Sequence, residues 1–456
     1  MSETPSHSVD AVPRISGLPA LAALLDLAGA SIAAGVIARR RPVVGFLERV
    51  QADNRSLRRL HGLRQRYGRG PVELAIPGRR IVAVLDADDV GAVLAATPTP
   101  FDPASWEKRA ALRQFQPHAV LITRGAMRGP RRVVNETALD TAAPLHRLAG
   151  PFSAVIAAET AELLTSARRT GGFDAAQFTR AWWRVVRQVV LGPSARDDDA
   201  VTDDLWRLRK AANWSFAAAQ HTRRRSRFFE RLHRYAENPA PESLLGALSA
   251  IPAPPGVDPI GQLPHWLFAF DAAGMATIRA AALLASRPRL QSRCEVTELD
   301  TPAVRPFLRS AVLESVRLWP TTPAILRETT QPTEWRDGTL VSEGGAAVLI
   351  CVPAFHRDSA AMPFANSFEP DIWLDGRAER YPQLVPFSAG PAACPGQNLV
   401  LFTGSTLLAH LFGTSHLELT SPRGLPPDGA LPLTLNQFGL EFAVHEHRPA
   451  ITHGRV

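Results

Sequence analysis

Apolar residues between positions 43 and 67 recur at helical spacing, with Leu47, Val50, Leu57, Leu60 and Leu63 on one face, and they predict a single helix there. The segment "VELAIPGRRIVAVL" (72–85) instead alternates apolar with polar positions and breaks at Pro77-Gly78, which predicts a hairpin. A short helix with an acidic start follows over 86–96. Helical periodicity then dominates residues 130–300, most clearly in "AWWRVVRQVVL" and "LPHWLFAFDAAGMATIRAAALLAS". Further on, "FLRSAVLESVRLWP" (307–320) carries a stripe of Leu308, Ala311, Val312 and Val316, and Pro320 stops its helix. "TLVSEGGAAVLICVP" (339–353) reads as a second hairpin turning at Glu343, Gly344 and Gly345. A last helix covers 397–412, with Leu399, Phe402, Leu407, His410 and Leu411 at helical spacing. The fold class is therefore mainly α: one helix-rich domain with small β-sheets. The proline-rich stretch 238–261 is short enough to be an internal loop.

The N-terminus stands apart. Leu18 to Ala38 holds one charge, Asp26, and is followed by Arg39, Arg40 and Arg41. Its length suits a bilayer, but its many alanines and Asp26 weaken insertion. Residues 1–41 are thus expected to be an N-terminal extension ahead of a domain over 42–456. A packed helix, a helix lying on a membrane surface through 18–38 and a true anchor are the alternatives.

Composition narrows the class. A chain of 456 residues, 45% hydrophobic and 21% charged and without repeats, is globular with ample core. Three cysteines, Cys294, Cys351 and Cys394, lack CxxC spacing, which argues against a disulfide framework or a zinc site and for a reducing, cytoplasmic compartment. The formal charge of +8 is spread along the chain, densest in "HTRRRSRFFERLHR" (221–234). No binding motif accompanies that run, so it reads as a solvated helix face and no nucleic-acid partner is expected.

Three stretches carry candidate chemistry. In "LVPFSAGPAACPGQNLVLF" (384–402), Gly390 and Gly396 let the backbone fold tightly around Cys394, Pro391 and Pro395 stiffen the turn, and the helix that follows should favour a thiolate. Glu314 and Arg317 sit three apart on one helix face. In "FDAAGMAT" (270–277), Ala272, Ala273, Gly274 and Ala276 strip bulk from one helical turn, as a ligand or a close helix neighbour would require.

Taken in order, the small-residue turn ending in Thr277, Glu314-x-x-Arg317 and Phe387-x-x-Gly390-x-x-x-Cys394-x-Gly396 resemble the cytochrome P450 family of haem-thiolate monooxygenases, of the soluble bacterial type. "PAFHRDSAAMPFANSFEPDIW" (353–373) and "RGPRRVV" (128–134) extend the resemblance, which covers roughly 43–445. It implies the cytochrome P450 fold and haem b as cofactor, with Cys394 as the iron's proximal ligand in a turn shaped by Phe387, Gly390 and Gly396. It further implies that Glu314 and Arg317 form a buried structural pair and that Arg327 and Arg131 hold haem propionates. Thr277 would then lie over the iron and support proton delivery, with Asp271 as the nearest acid. Asp271 is six residues earlier and some 120° round the helix, within reach only through water. Ala273, Ala324, Ile325 and Phe438 are the implied pocket positions. Implied partners are O2, a small apolar organic substrate and a separate electron donor such as a ferredoxin with its reductase.

Four positions depart from the family pattern. Ala276 replaces the acid before the threonine, Ala392 the basic residue two before the cysteine, Ile372 an arginine, and Met127 a histidine four before Arg131. A kinase reading of His356-Arg357-Asp358 fails because Pro363 stands where an asparagine is needed. The expected activity is insertion of one oxygen atom from O2 into an organic substrate. A peroxide-driven peroxygenase or a coupling or rearrangement catalyst is the alternative enzyme, and a haem-thiolate sensor without turnover the alternative class.

Overall fold

The computed structural model describes residues 10–215, 219–294, 298–335, 338, 340–421 and 425–446. Its centre is the helix Leu263–Ala285, apolar on nearly every side and therefore buried on nearly every side. Pro306–Leu318, Gln397–Thr414 and Ala175–Leu191 pack around it. Gly274 is needed for one of these contacts, since a Cβ there would lie 2.6 Å from the indole of Trp182, whose Nε1 donates to the Phe270 carbonyl at 2.7 Å. At Gly274, then, the small residue admits a neighbouring helix rather than a ligand.

A six-stranded sheet forms the second layer, in the order Arg14–Ser16, Val72–Ile76, Arg79–Ala83, Ala347–Cys351, Ala324–Thr329, Phe101–Asp102. The expected hairpin at Pro77-Gly78 is there, with Gly78 at φ +75°. The second expected hairpin is not. Leu340–Ser342 pairs with Asp10–Ala11 and Thr333–Trp335 in a separate sheet, whereas Ala347–Cys351 runs between Arg79–Ala83 and Ala324–Thr329. The Glu343–Gly345 turn passes the chain from one sheet to the other, a distinction that alternation alone does not carry. Thr339 lies outside the described residues. The helix expected over 43–67 is two, Arg41–Arg49 and Asn54–Tyr67, separated where Gln51 takes φ 45°. Within the proline-rich 238–261 stretch lies a short helix, Leu244–Ser249.

The N-terminal segment is more tightly joined to the rest than an extension would be. Arg14–Ser16 is a parallel edge of the six-stranded sheet, and the helix Gly17–Ala34 lays Ala20, Ala23 and Leu27 on the sheet's core. Asp26 is satisfied by Arg59 at 2.8 Å. A division at 41/42 therefore does not follow a structural boundary. Among the described residues, two helical stretches are long and apolar enough to cross a membrane, Gly17–Ala34 and Ile260–Ala285; the second is core, and the first exposes Leu18, Leu21, Leu25 and Ile32.

Candidate functional site

The cysteine turn is built as its residues dictate. Gly390 adopts φ +66°, and a Cβ there would lie 2.1 Å from the Leu94 carbonyl, so no other residue fits. The Cys394 N–H donates to the Phe387 carbonyl at 2.9 Å, closing the loop just before the helix Gln397–Thr414. Cys394 is half-buried, while Cys294 and Cys351 are buried with their thiols donating to the carbonyls of Leu290 and Leu27. Desolvation raises the Cys394 thiol above its ordinary pKa, against a smaller opposing pull from the Gly396 N–H and Arg132. The helix start does not by itself make a thiolate here. A metal taking this sulfur as ligand would have to displace its proton, which would make such binding pH-dependent.

Behind the turn, Glu314 and Arg317 are fully buried and joined twice, Nη2 to Oε1 at 2.6 Å and Nε to Oε2 at 2.7 Å. Glu314 also accepts the Glu369 N–H and the Trp373 indole N–H. Arg317 donates to the carbonyls of His356, Phe364, Ala365 and Ser367. The pair therefore ties the meander before the cysteine turn to its helix. His356, Arg357 and Asp358 are structural as well: Arg357 donates to the carbonyls of Leu318, Leu431 and Pro432, and Asp358 is held by His61 and Arg64. Ile372 sits in a small core with Met362, Phe364 and Ala365.

Beside the turn lies a group of cations short of anions. Arg327 is buried and donates to Thr97 Oγ1, the Leu326 carbonyl and, at 3.4 Å, Ser388 Oγ in the cysteine turn. Burial, reinforced by Arg128, lowers it to about 10. Lys108 donates to the carbonyls of Pro103 and Leu326, and burial, then Arg327 and Arg128, holds it well below its ordinary value. Arg131 donates to Thr123 Oγ1 at 2.8 Å and keeps a buried Nε without a hydrogen-bond partner. The nearby carboxylate, Asp102, is engaged by Arg124 at 2.8 Å. Among the described residues, Arg327, Lys108, Arg128 and Arg131 have no ion-pair partner. Such a set fits a ligand bearing two carboxylates, as haem does, lying against the cysteine turn. Lys108 was not legible beforehand, because "WEKRAAL" reads as an ordinary solvated helix, and in "RGPRRVV" nothing singles out Arg128 beside Arg131.

On the central helix the structure departs from expectation. Thr277 is fully buried and its hydroxyl donates to the Ala273 carbonyl at 2.9 Å. A Cβ on Gly404 would meet Thr277 Oγ1 at 2.9 Å and Val312 at 3.4 Å. Thr277 thus touches the Gln397–Thr414 helix directly, eight residues and roughly 12 Å beyond Gly396, leaving no gap there for a flat macrocycle. Asp271 does not join it. That carboxylate is bound by Arg209 at 2.6 Å. The half-open face of the helix is instead His265, Phe268, Ala269, Ala272 and Met275. Ala273 is buried, and Ile325 points into the sheet core. Ala324 and Phe438 are half-buried, the latter beneath the Arg41 guanidinium.

Residues 288–430 match the sequence profile of the family described as Cytochrome P450. The chain is 30% identical over 176 residues to 2-hydroxyisoflavanone synthase of Glycine max, covering 34% of this chain and 33% of that one. It is 35% identical over 141 residues to Cytochrome P450 4F2 of Homo sapiens, covering 28% and 27%. Those alignments span about a third of the relatives' length. Over 96% of this chain the fold superposes on all of retinoic acid bound cyanobacterial CYP120A1 with a TM-score of 0.71 at 16% identity, and equally well on CYP102L1 at 18%. The fold is the cytochrome P450 fold, and residues 288–430 carry the sequence profile of that family.

Proposed function

We propose that the protein is a haem-thiolate monooxygenase with Cys394 as the axial ligand of haem b. The observation that carries this reading is the pairing of a half-open cysteine, the one thiol of three not donating to a main-chain carbonyl among the described contacts, with the adjacent buried Arg327 and half-buried Lys108, neither of which has an ion-pair partner among the described residues. Arg327, Arg131, Lys108 and Arg128 are the groups to hold the propionates, and the extra lysine compensates for Ala392. Bound haem would supply activation of O2. The chain's own residues position it, shield the sulfur with the 387–396 turn, and present Phe268, Ala269 and Ala272 as one wall of the substrate space. Arg132, against the Ala393 carbonyl, offers a cation at the cysteine turn for an acidic electron donor such as a ferredoxin. The exposed leucines of Gly17–Ala34 suit contact with a membrane surface on an otherwise cytoplasmic protein.

One observation favours the peroxide-driven reading as second choice: the half-open face of the central helix, from His265 to Met275, has no side-chain hydroxyl or acid other than the Arg209-bound Asp271. The deciding experiment compares product formed with a ferredoxin, reductase and O2 against product formed with hydrogen peroxide. Turnover only with peroxide selects the peroxygenase, and turnover with neither selects the sensor.

A further inference from the structure

A second pair of cations, Arg279 buried and Arg39 half-buried, lies away from the cysteine turn, around a cavity of about 70 Å³ bounded by the N-terminal helices, the end of the Pro306–Leu318 helix and residues 433–437. Arg39 and Arg279 both line it, with Asp53, Trp319, Thr434 and Gln437. Arg279 is only 7% exposed; its Nη1 donates to the Trp319 carbonyl at 2.7 Å and its Nη2 to Gln437 Oε1 at 2.8 Å, while its Nε has no partner. Arg39 donates to the carbonyls of Gly35 and Thr321 at 3.0 and 2.9 Å. Neither guanidinium is in an ion pair among the described residues. The nearest carboxylates act on them without forming an ion pair: Asp271 is bound by Arg209, and Asp53, which attracts both guanidinium groups, accepts the Thr434 hydroxyl at 2.7 Å.

Carbonyl dipoles solvate a guanidinium only in part, so two such charges at one enclosed space attract an anion. Burial also pushes the Asp53 carboxyl up, toward its neutral form, and lowers Arg279 to about 9, with Arg39 adding to that shift. Both shifts report burial first; the Arg39 charge adds to the shift of Arg279, whereas Arg39 and Arg279 oppose that of Asp53. Size restricts the guest. At about 10–15 Å³ per water, the cavity holds on the order of five waters, enough for a carboxylate group with a short tail and too little for a whole drug-sized molecule. Planar guanidinium forks match a carboxylate best.

We propose that this cavity is a carboxylate-binding site formed by Arg39 and Arg279. The carboxylate is either a free small acid or the head of a longer organic acid whose chain leads out of the cavity. The second source alone rests on the monooxygenase reading.

The test uses the full-length haem-loaded protein. Sodium acetate should raise its thermal unfolding midpoint with saturation at millimolar concentration, beyond sodium chloride or phosphate at equal ionic strength. In Arg39→Gln the acetate dissociation constant should rise at least tenfold. Arg279→Gln should behave alike where it folds, and Arg39→Gln carries the test where it does not. Dodecanoate separates the sources: a Soret shift with dodecanoate, absent with its methyl ester and reversed by acetate, marks the head-group site of an organic acid. Acetate binding without any dodecanoate response marks a free-acid site. Chloride or phosphate matching acetate, or full acetate affinity in Arg39→Gln, overturns the proposal. Failure of the monooxygenase reading would appear as a missing thiolate signature, with the acetate effect intact.

Discussion

Nε2 of His356 accepts the backbone N–H of Val385 at 3.0 Å, while Nδ1 of the same ring lies 3.2 Å from the Arg317 carbonyl, to which it must donate. The ring is neutral and fully buried, and it couples the Glu314/Arg317 helix to the strand of chain that enters the cysteine turn two residues later. Burial and the nearby Arg317 charge lower its pKa to about 3. Folded below unfolded means that stability is complete above about pH 6.5 and is lost as pH falls toward 3. Between pH 6.5 and 4 the unfolding free energy should fall by a few kcal/mol. His265, lowered to about 4 by burial, adds to the same window. Denaturant titrations across that range check the slope, and His356→Gln should flatten it while lowering stability at pH 7. An unchanged slope in His356→Gln would place the acid sensitivity elsewhere.

Glu314→Ala removes a carboxylate that accepts four hydrogen bonds and strands the Arg317 charge in a fully buried position. Breaking such a pair costs roughly 3–5 kcal/mol, a large share of ordinary domain stability. Little soluble, haem-loaded protein is expected from that variant. Normal yield with wild-type unfolding behaviour would show the pair to be dispensable.

Cys394→Ala should abolish the red-shifted Soret band of the reduced carbon monoxide complex, and Cys294→Ala and Cys351→Ala should keep it. In haem-free protein the order of thiol alkylation is a separate check. Cys394, half-open, should react first, and Cys351, pushed up to about 11 by burial, should resist until the protein unfolds. Rapid labelling of Cys351 in folded protein would contradict its position in the sheet core.

Arg327→Met should speed transfer of haem to apomyoglobin, by about tenfold for loss of one charge-assisted contact of some 1.4 kcal/mol. Lys108→Met should act in the same direction and Lys108→Arg should restore retention. Haem loss at the wild-type rate in both methionine variants would mean the cations serve the fold alone.

The parts of this site that were legible in sequence are those fixed by a local chemical demand. Gly390 is demanded by the Leu94 carbonyl, and Glu314 and Arg317 meet because three residues is nearly one helical turn. Register on the central helix was not legible. Leu263–Ala285 is apolar on nearly every side, so no pattern says which side faces a ligand, and the threonine after small residues pointed to a turn that packs against the Gln397–Thr414 helix. Lys108 escaped for a related reason: the Leu326 carbonyl it donates to lies in the strand Ala324–Thr329, which arrives from distant sequence. The Glu343–Gly345 segment misled because a glycine turn between two alternating runs does not say whether those runs pair with each other.

Thr277 tests that register. Its hydroxyl donates to the Ala273 carbonyl and packs against Gly404, so its removal costs one hydrogen bond and leaves a small void, on the order of 1–2 kcal/mol. Thr277→Ala should therefore lower thermal stability while leaving product formed per reducing equivalent within twofold of wild type. Asp271→Asn weakens a pair with Arg209 and should likewise act on stability. Ala276 is buried, and its carbonyl accepts the Ser315 hydroxyl at 2.8 Å, so Ala276→Asp would put an unpaired carboxylate into the helix interface and prevent folding rather than supply protons. Ala272 is different. It lies 500° along the helix from Thr277, some 140° round, on the half-open face, so Ala272→Thr should fold normally and is the substitution that raises coupling with reductase and O2. Measured product against reduced nicotinamide consumed decides the matter: uncoupling in Thr277→Ala with no gain in Ala272→Thr would return the proton path to Thr277.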